Sequence, residues 1–142
     1  MAFGRIEAAL LARLAAMLPE GAGVRITPWR TLLLEAPIHL EDDRLLTDLN
    51  DPLLRVDACP AMPACPQATV ETRDLARRIA PHVTGRLHVS GCSKGCARPQ
   101  PAAVTLTGRD GLYDLALDAR AGAPPVRPAL DRAGVLAHFG AA

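Results

Sequence analysis

Apolar positions recur at helical spacing at the start of the chain, where Ile6, Leu10, Leu11, Leu14 and Leu18 predict an amphipathic helix over residues 3 to 18. Pro19 and the Gly21-Ala22-Gly23 turn end it. The period then changes. Val24-Arg25-Ile26-Thr27 alternates apolar and polar, Pro28 interrupts it, and Thr31-Leu32-Leu33-Leu34-Glu35 resumes, which predicts a hairpin at a sheet edge. A short helix is expected over residues 39 to 48, and Asn50-Asp51-Pro52 is a turn signal dividing the chain into segments 1–50 and 51–142. Leu53-Leu54-Arg55-Val56 leads into a proline-rich loop. Thr69 is expected to cap a helix over residues 70 to 80, with Glu71 in its first turn and Arg77 and Arg78 in its last, matching the helix dipole. Gly85-Arg86-Leu87-His88-Val89-Ser90 reads as a strand ending in a second loop. Two further strands, Ala103 to Thr107 and Leu112 to Leu117, pair across Gly108-Arg109-Asp110-Gly111, and a proline-rich stretch leads to a last helix near residues 129 to 139.

A length of 142 residues allows one compact core with two lobes. The net charge of +1 and the mixing of Arg with Asp and Glu leave no basic stripe, so no nucleic-acid partner is expected. No apolar run approaches the roughly 20 residues that span a bilayer. The start also carries acidic residues where a signal peptide would be basic and then purely apolar. The chain is therefore expected in the cytoplasm, with no membrane partner. In a reducing cytosol, cysteines are metal ligands or free thiols more readily than structural disulfides.

The four cysteines form two pairs, Cys59 with Cys65 and Cys92 with Cys96, each in a turn-rich segment after an apolar run. Four thiolates from two loops are the ligand complement of a [4Fe-4S] cluster. Pro60, Pro63 and Pro66 stiffen the first loop, whereas Gly91 and Gly95 let the second bring amide N–H groups close to sulfur. The only lysine, Lys94, lies between Cys92 and Cys96, where its charge would favour thiolates; the plain alternative is a solvated loop residue. Structural zinc remains an alternative, although its ligand pairs are usually about two to four residues apart and five residues separate Cys59 from Cys65. Free thiols are the other.

The five-residue and three-residue spacings, with the second pair in the form GCxxGC, resemble the siroheme-dependent sulfite and nitrite reductase superfamily. Within it, FGRIEAALLARLA, RITPWRTLLLE and HVSGCSKGCARP are most similar to the precorrin-3B synthase family of cobalamin biosynthesis, over most of residues 3 to 107. The resemblance implies an α+β fold, with a ferredoxin-like lobe over residues 1–50 and a shortened α/β iron–sulfur lobe over 51–142. It further implies a [4Fe-4S] cluster held by Cys59, Cys65, Cys92 and Cys96, and a tetrapyrrole substrate, precorrin-3A. Non-haem iron with dioxygen would then hydroxylate the ring and close a lactone, with siroheme the less expected cofactor; the alternatives are a fragment of a siroheme-dependent sulfite or nitrite reductase and a non-enzymatic iron–sulfur electron-transfer module. Family members bind the tetrapyrrole between two such halves, and this chain looks like the second. The expectation is a fragment, one subunit of a split enzyme, or a half that pairs with itself.

The family's corresponding strand turns polar residues to the tetrapyrrole carboxylates, which makes Arg25, Thr27 and Arg30 candidate ligands, since a guanidinium binds a carboxylate through two hydrogen bonds. The plain alternative is a solvated hairpin face. Trp29 would pack on the ring or simply close the hairpin. His39, His82, His88 and His138 do not cluster, and only His88, four residues before Cys92, is placed to neighbour the cysteine site. Nothing resembles a nucleophile triad or a phosphate loop.

Overall fold

A computed structural model describes residues 1–141 and divides the chain into two compact units, Met1–Leu54 and a second from Arg55 onward. The architecture is mixed, with short helices, one two-stranded sheet and one five-stranded sheet, as an α+β fold requires.

The first unit contains helix α1 (Ala8–Ala16) and an antiparallel hairpin of β1 (Val24–Ile26) and β2 (Leu32–Leu34), in which Arg25 lies opposite Leu33. The helix is shorter than its apolar period predicts. Phe3 takes a φ of 55° within an isolated 3-10 turn and Glu7 is extended, so Ile6 lies outside the helix, while Leu10 and Leu14 form its buried stripe. The helix expected over residues 39 to 48 is absent. Short acidic side chains capture the backbone there: Asp42 accepts from the Arg44 amide at 3.1 Å and Asp48 from the Asn50 amide at 2.8 Å, which are turn contacts competing with helical ones.

The second unit is built on a sheet in the order β3 (Val56–Ala58), β4 (Leu87–Ser90), β5 (Ala102–Arg109), β6 (Leu112–Ala119) and β7 (Arg127–Leu130). The pairs β3–β4 and β4–β5 are parallel and the remainder antiparallel. Strand β7 was not expected. Its Pro128 disfavours a central strand, but an edge strand tolerates a missing N–H, and β7 is the edge. The following helix is therefore shorter than predicted, α3 (Arg132–Phe139), capped by the Asp131 carboxylate accepting from the Gly134 amide at 2.7 Å.

Helix α2 (Arg73–Ile79) begins later than the sequence predicts, and Thr69 does not cap it. The Thr69 amide donates instead to Gly91 O at 3.0 Å, and the Glu71 carboxylate accepts from the Asp74 and Leu75 amides at 2.6 and 3.2 Å. α2 packs on β3 and β4, and α3 on β6 and β7. One face of the sheet presents Val56, Leu87, Val89, Leu106 and Leu115, all buried. On that side the Tyr113 hydroxyl donates to Glu71 O at 2.6 Å, anchoring the start of α2 to the sheet. Burial of the phenol pushes its pKa up to about 12, so it remains a donor.

Candidate metal centre

Parallel pairing of β3 with β4 sends both cysteine loops out from the same edge of the sheet, because parallel strands share their C-terminal ends. Ala58 lies opposite Val89, so Cys59 leaves β3 where Gly91 and Cys92 leave β4. The Cys59 amide donates to Val89 O at 3.4 Å, and in return the Gly91 amide donates to Cys59 Sγ at 3.2 Å. An N–H from one cysteine loop thus reaches the sulfur of the other.

The loops interlock at Gly91. A Cβ built there would lie 2.6 Å from Ala68 Cβ and 3.0 Å from Ala61 Cβ, so no other residue fits without moving the first loop. Ala61 is fully buried, and its carbonyl accepts from the Cys65 amide at 2.8 Å, closing the turn that carries Cys65. In the second loop Gly95 adopts a φ of +62°, a conformation that favours glycine, and its carbonyl accepts from the Arg98 amide at 3.0 Å. Cys59, Cys65 and Cys92 are half-buried; Cys96 is exposed, as is Lys94 beside it.

Four side chains that sequence reasoning missed hold these loops. Thr72 is buried, and its hydroxyl donates to Cys59 O at 2.7 Å; the Ser90 hydroxyl donates to Cys92 O at the same distance. Asp57, buried on β3, receives Arg86 at 3.2 Å and Arg98 at 3.4 Å. Arg98 also donates through Nε to Pro101 O at 3.0 Å, so one guanidinium ties the end of the second loop to the strand before the first. The only signal for these residues was their nearness to the cysteines, and it did not distinguish Ser90 or Arg98 from ordinary loop residues.

Underneath the second loop lies the other face of the sheet, which carries Asp57, His88, Ser90, Thr105 and Thr107, polar yet buried. The Thr105 hydroxyl donates to Ala119 O at 2.8 Å and Thr107 Oγ1 accepts from the Gly122 amide at 3.1 Å, so the chain after β6 covers this face together with the cysteine loop. Burial, partly offset by the nearby Asp57 carboxylate, holds the His88 pKa below its ordinary value and keeps the ring neutral.

Arg25, Thr27 and Arg30 belong to the first unit. Arg25 pairs through Nε with the Glu35 carboxylate, which also accepts from the Gly23 amide at 2.8 Å; these contacts hold the Glu35 pKa below its ordinary value. Thr27 Oγ1 donates to Thr31 O at 2.9 Å, across the turn that holds Trp29 and Arg30. Arg30 has a φ of 60° and lays its side chain along Gly4, and Trp29 is 79% exposed. Among the described residues no three Cys, His, Asp or Glu side chains converge closely enough to hold a single metal ion. Among the described residues no helix is long and apolar enough to cross a membrane.

No protein-family profile matches the chain. Two curated proteins are similar to part of it. Precorrin-3B synthase of a Sinorhizobium species is 36% identical over 82 residues, covering 54% of this chain and 18% of that protein. Coenzyme F420-dependent sulfite reductase of Methanocaldococcus jannaschii is 34% identical over 79 residues, covering 50% of this chain and 13% of that protein. The matched stretch is thus less than a fifth of either relative. Both names are consistent with the nitrite and sulfite reductase superfamily.

Proposed function

We propose that this chain is the cluster-bearing half of an oxidoreductase of the nitrite/sulfite reductase type, acting in the cytoplasm in cobalamin biosynthesis on precorrin-3A, as precorrin-3B synthases do. Cys59, Cys65, Cys92 and Cys96 would hold the [4Fe-4S] cluster. The observation that carries this reading is the Gly91 amide on Cys59 Sγ, which joins the two cysteine loops at a sulfur. The chemistry of the donor set supports the group: four thiols on two loops held by backbone and hydroxyl contacts, with one amide N–H, that of Gly91, turned to the sulfur of Cys59.

When bound, the cluster would relay electrons one at a time from an external two-electron reductant to an oxygen-dependent hydroxylation and lactone closure assisted by non-haem iron, one oxygen atom entering the ring and the other leaving as water. The chain's own residues bind and orient. Arg98 and Asp57 keep the second loop against the sheet, and Thr72 and Ser90 fix the carbonyls of Cys59 and Cys92. In the first unit, the ferredoxin-like assignment and the tetrapyrrole-binding roles of Arg25, Thr27 and Arg30 rest on the family resemblance. The rest of the ring's pocket would come from a complementary first half or a second copy of this chain.

The test is titration of a carboxylate-rich tetrapyrrole into the reconstituted chain and its Arg30→Ala variant, with an oxygen-dependent turnover assay alongside. A charge-assisted arginine contact contributes about 1.5 to 3 kcal/mol, so affinity should fall by about one to two decades in the variant. Turnover should require the complementary half, because a ring held from one side lacks both positioning and water exclusion. Unchanged affinity would return Arg30 to a solvated surface role. The Methanocaldococcus match supports a second reading, a siroheme sulfite reductase fragment; tight siroheme binding with a haem spectrum and sulfite-dependent oxidation of a reductant would establish it instead.

A further inference from the structure

His88 is 0% exposed, and neither of its ring nitrogens has a hydrogen-bond partner. A neutral imidazole carries one donor and one acceptor, and buried polar atoms are almost always paired. Its lateral neighbours in the sheet are already engaged. Asp57, opposite on β3, is taken by Arg86 and Arg98, and Thr105, opposite on β5, gives its proton to Ala119 O. What lies over the ring is the cysteine loop: a Cβ built on Gly95 would stand 3.6 Å from His88 Cε1. Gly95 sits between Cys92 and Cys96. An unpaired donor, buried in the sheet and covered by the ligand loop, is therefore available to whatever that loop binds.

We propose that His88 donates a ring N–H to a sulfur of the cluster at the Cys92–Cys96 loop, and thereby raises the cluster's reduction potential. A hydrogen bond to sulfur stabilises the reduced, more negative cluster more than the oxidised one, so its loss disfavours reduction. Burial disfavours the charged ring, and the proposed effect needs only the N–H donor that the neutral imidazole carries. This assignment rests on the cluster reading above.

The full chain is reconstituted anaerobically as wild type, His88→Leu and His88→Gln; iron and labile sulfide are measured in each, and the midpoint of one-electron reduction by dithionite is followed by electron paramagnetic resonance. The leucine variant should load fully, yet its reduction equilibrium constant should fall about tenfold, a downward shift of about 59 mV for a one-electron couple. Glutamine, which restores an N–H, should recover most of the shift. A loaded leucine variant at the wild-type potential would overturn the assignment, as would a glutamine variant no closer to wild type than leucine. If leucine prevents folding, wild type with 15N-labelled histidine decides: pulsed resonance should detect a weak nitrogen coupling to the reduced cluster that His88→Gln removes, and no such coupling would overturn the assignment. Wild type lacking labile sulfide would overturn the cluster reading and this assignment with it, whereas a loaded wild type with an insensitive potential removes His88 alone.

Discussion

The two faces of the five-stranded sheet are both buried, yet they are chemically opposite. One is a continuous apolar surface of Val56, Leu87, Val89, Leu106 and Leu115, on the side anchored to α2 through Tyr113. The other carries Asp57, His88, Ser90, Thr105 and Thr107 under the second cysteine loop and the chain after β6. Burial on the first face stabilises by removing hydrocarbon from water. On the second each buried polar group needs a partner, which the His88 ring nitrogens do not find among the described residues. One face therefore carries the fold, and the other lies beneath the second cysteine loop.

Swapping the damage between the two sides tests that division most severely. Cys96→Ser should abolish or strongly weaken cluster loading, measured as labile sulfide per chain after reconstitution, because no spare thiol stands nearby. Unfolding of the metal-free variant in urea should match wild type within about 0.5 kcal/mol, since Cys96 is exposed. Leu106→Ala should do the reverse to stability. It empties a fully buried site in the central strand, and a loss of about 2 to 5 kcal/mol is expected by chemical denaturation. If the two variants behaved alike in both assays, the division of labour would be wrong.

Asp57 sharpens the comparison, because it is a polar-face residue whose role is structural. Asp57→Asn removes the charge that holds Arg86 and Arg98; with both guanidiniums partly exposed, a cost of about 1 to 2 kcal/mol is expected. The metal-loaded protein should also lose its cluster faster under chelation, as the second loop comes free of β3. Equal chelation half-lives would show that the Arg98 contact does not brace the loop.

A smaller effect separates the faces by pH. His88 has its pKa depressed by burial, so below about its ordinary value of 6.5 the unfolded chain binds a proton that the folded chain refuses, and stability falls as pH falls. The slope from this group approaches about 1.4 kcal/mol per pH unit. In the first unit the sign is the same but the window is more acidic: Glu35, bonded to Arg25 and the Gly23 amide, and Asp42, held at about 2 by Arg44, stabilise above their ordinary carboxylate values and lose that contribution only in stronger acid. Urea titrations of metal-free wild type and His88→Gln between pH 7 and 5 should converge as pH falls, with wild type losing more. Parallel curves would remove His88 as the source.

The elements around the cysteines were legible because glycine and proline punctuate the ends of short apolar runs, which fixed where β4 stops and where the β5–β6 turn lies. The polar face was not legible. Leu87-His88-Val89-Ser90 and Val104-Thr105-Leu106-Thr107 alternate as half-wetted strands do, and nothing in that pattern shows that the second cysteine loop and the chain after β6 fold over the polar half. Nor does spacing reveal Arg98 on Asp57, a contact 41 residues apart. Where side chains compete with the backbone, as Asp42 and Asp48 do, the helix expected over residues 39 to 48 gives way to turns.

Anaerobic reconstitution with 57Fe and sulfide, read by Mössbauer spectroscopy and chemical analysis, tests most directly whether the parallel β3–β4 pair builds one cluster from both cysteine loops. The expected result is a four-iron cluster spectrum with about four irons and four labile sulfides per chain, lost in Cys59→Ser and in Cys96→Ser alike, since each loop must contribute. Iron or zinc bound without labile sulfide, or a cluster that survives loss of either loop's cysteine, would contradict it.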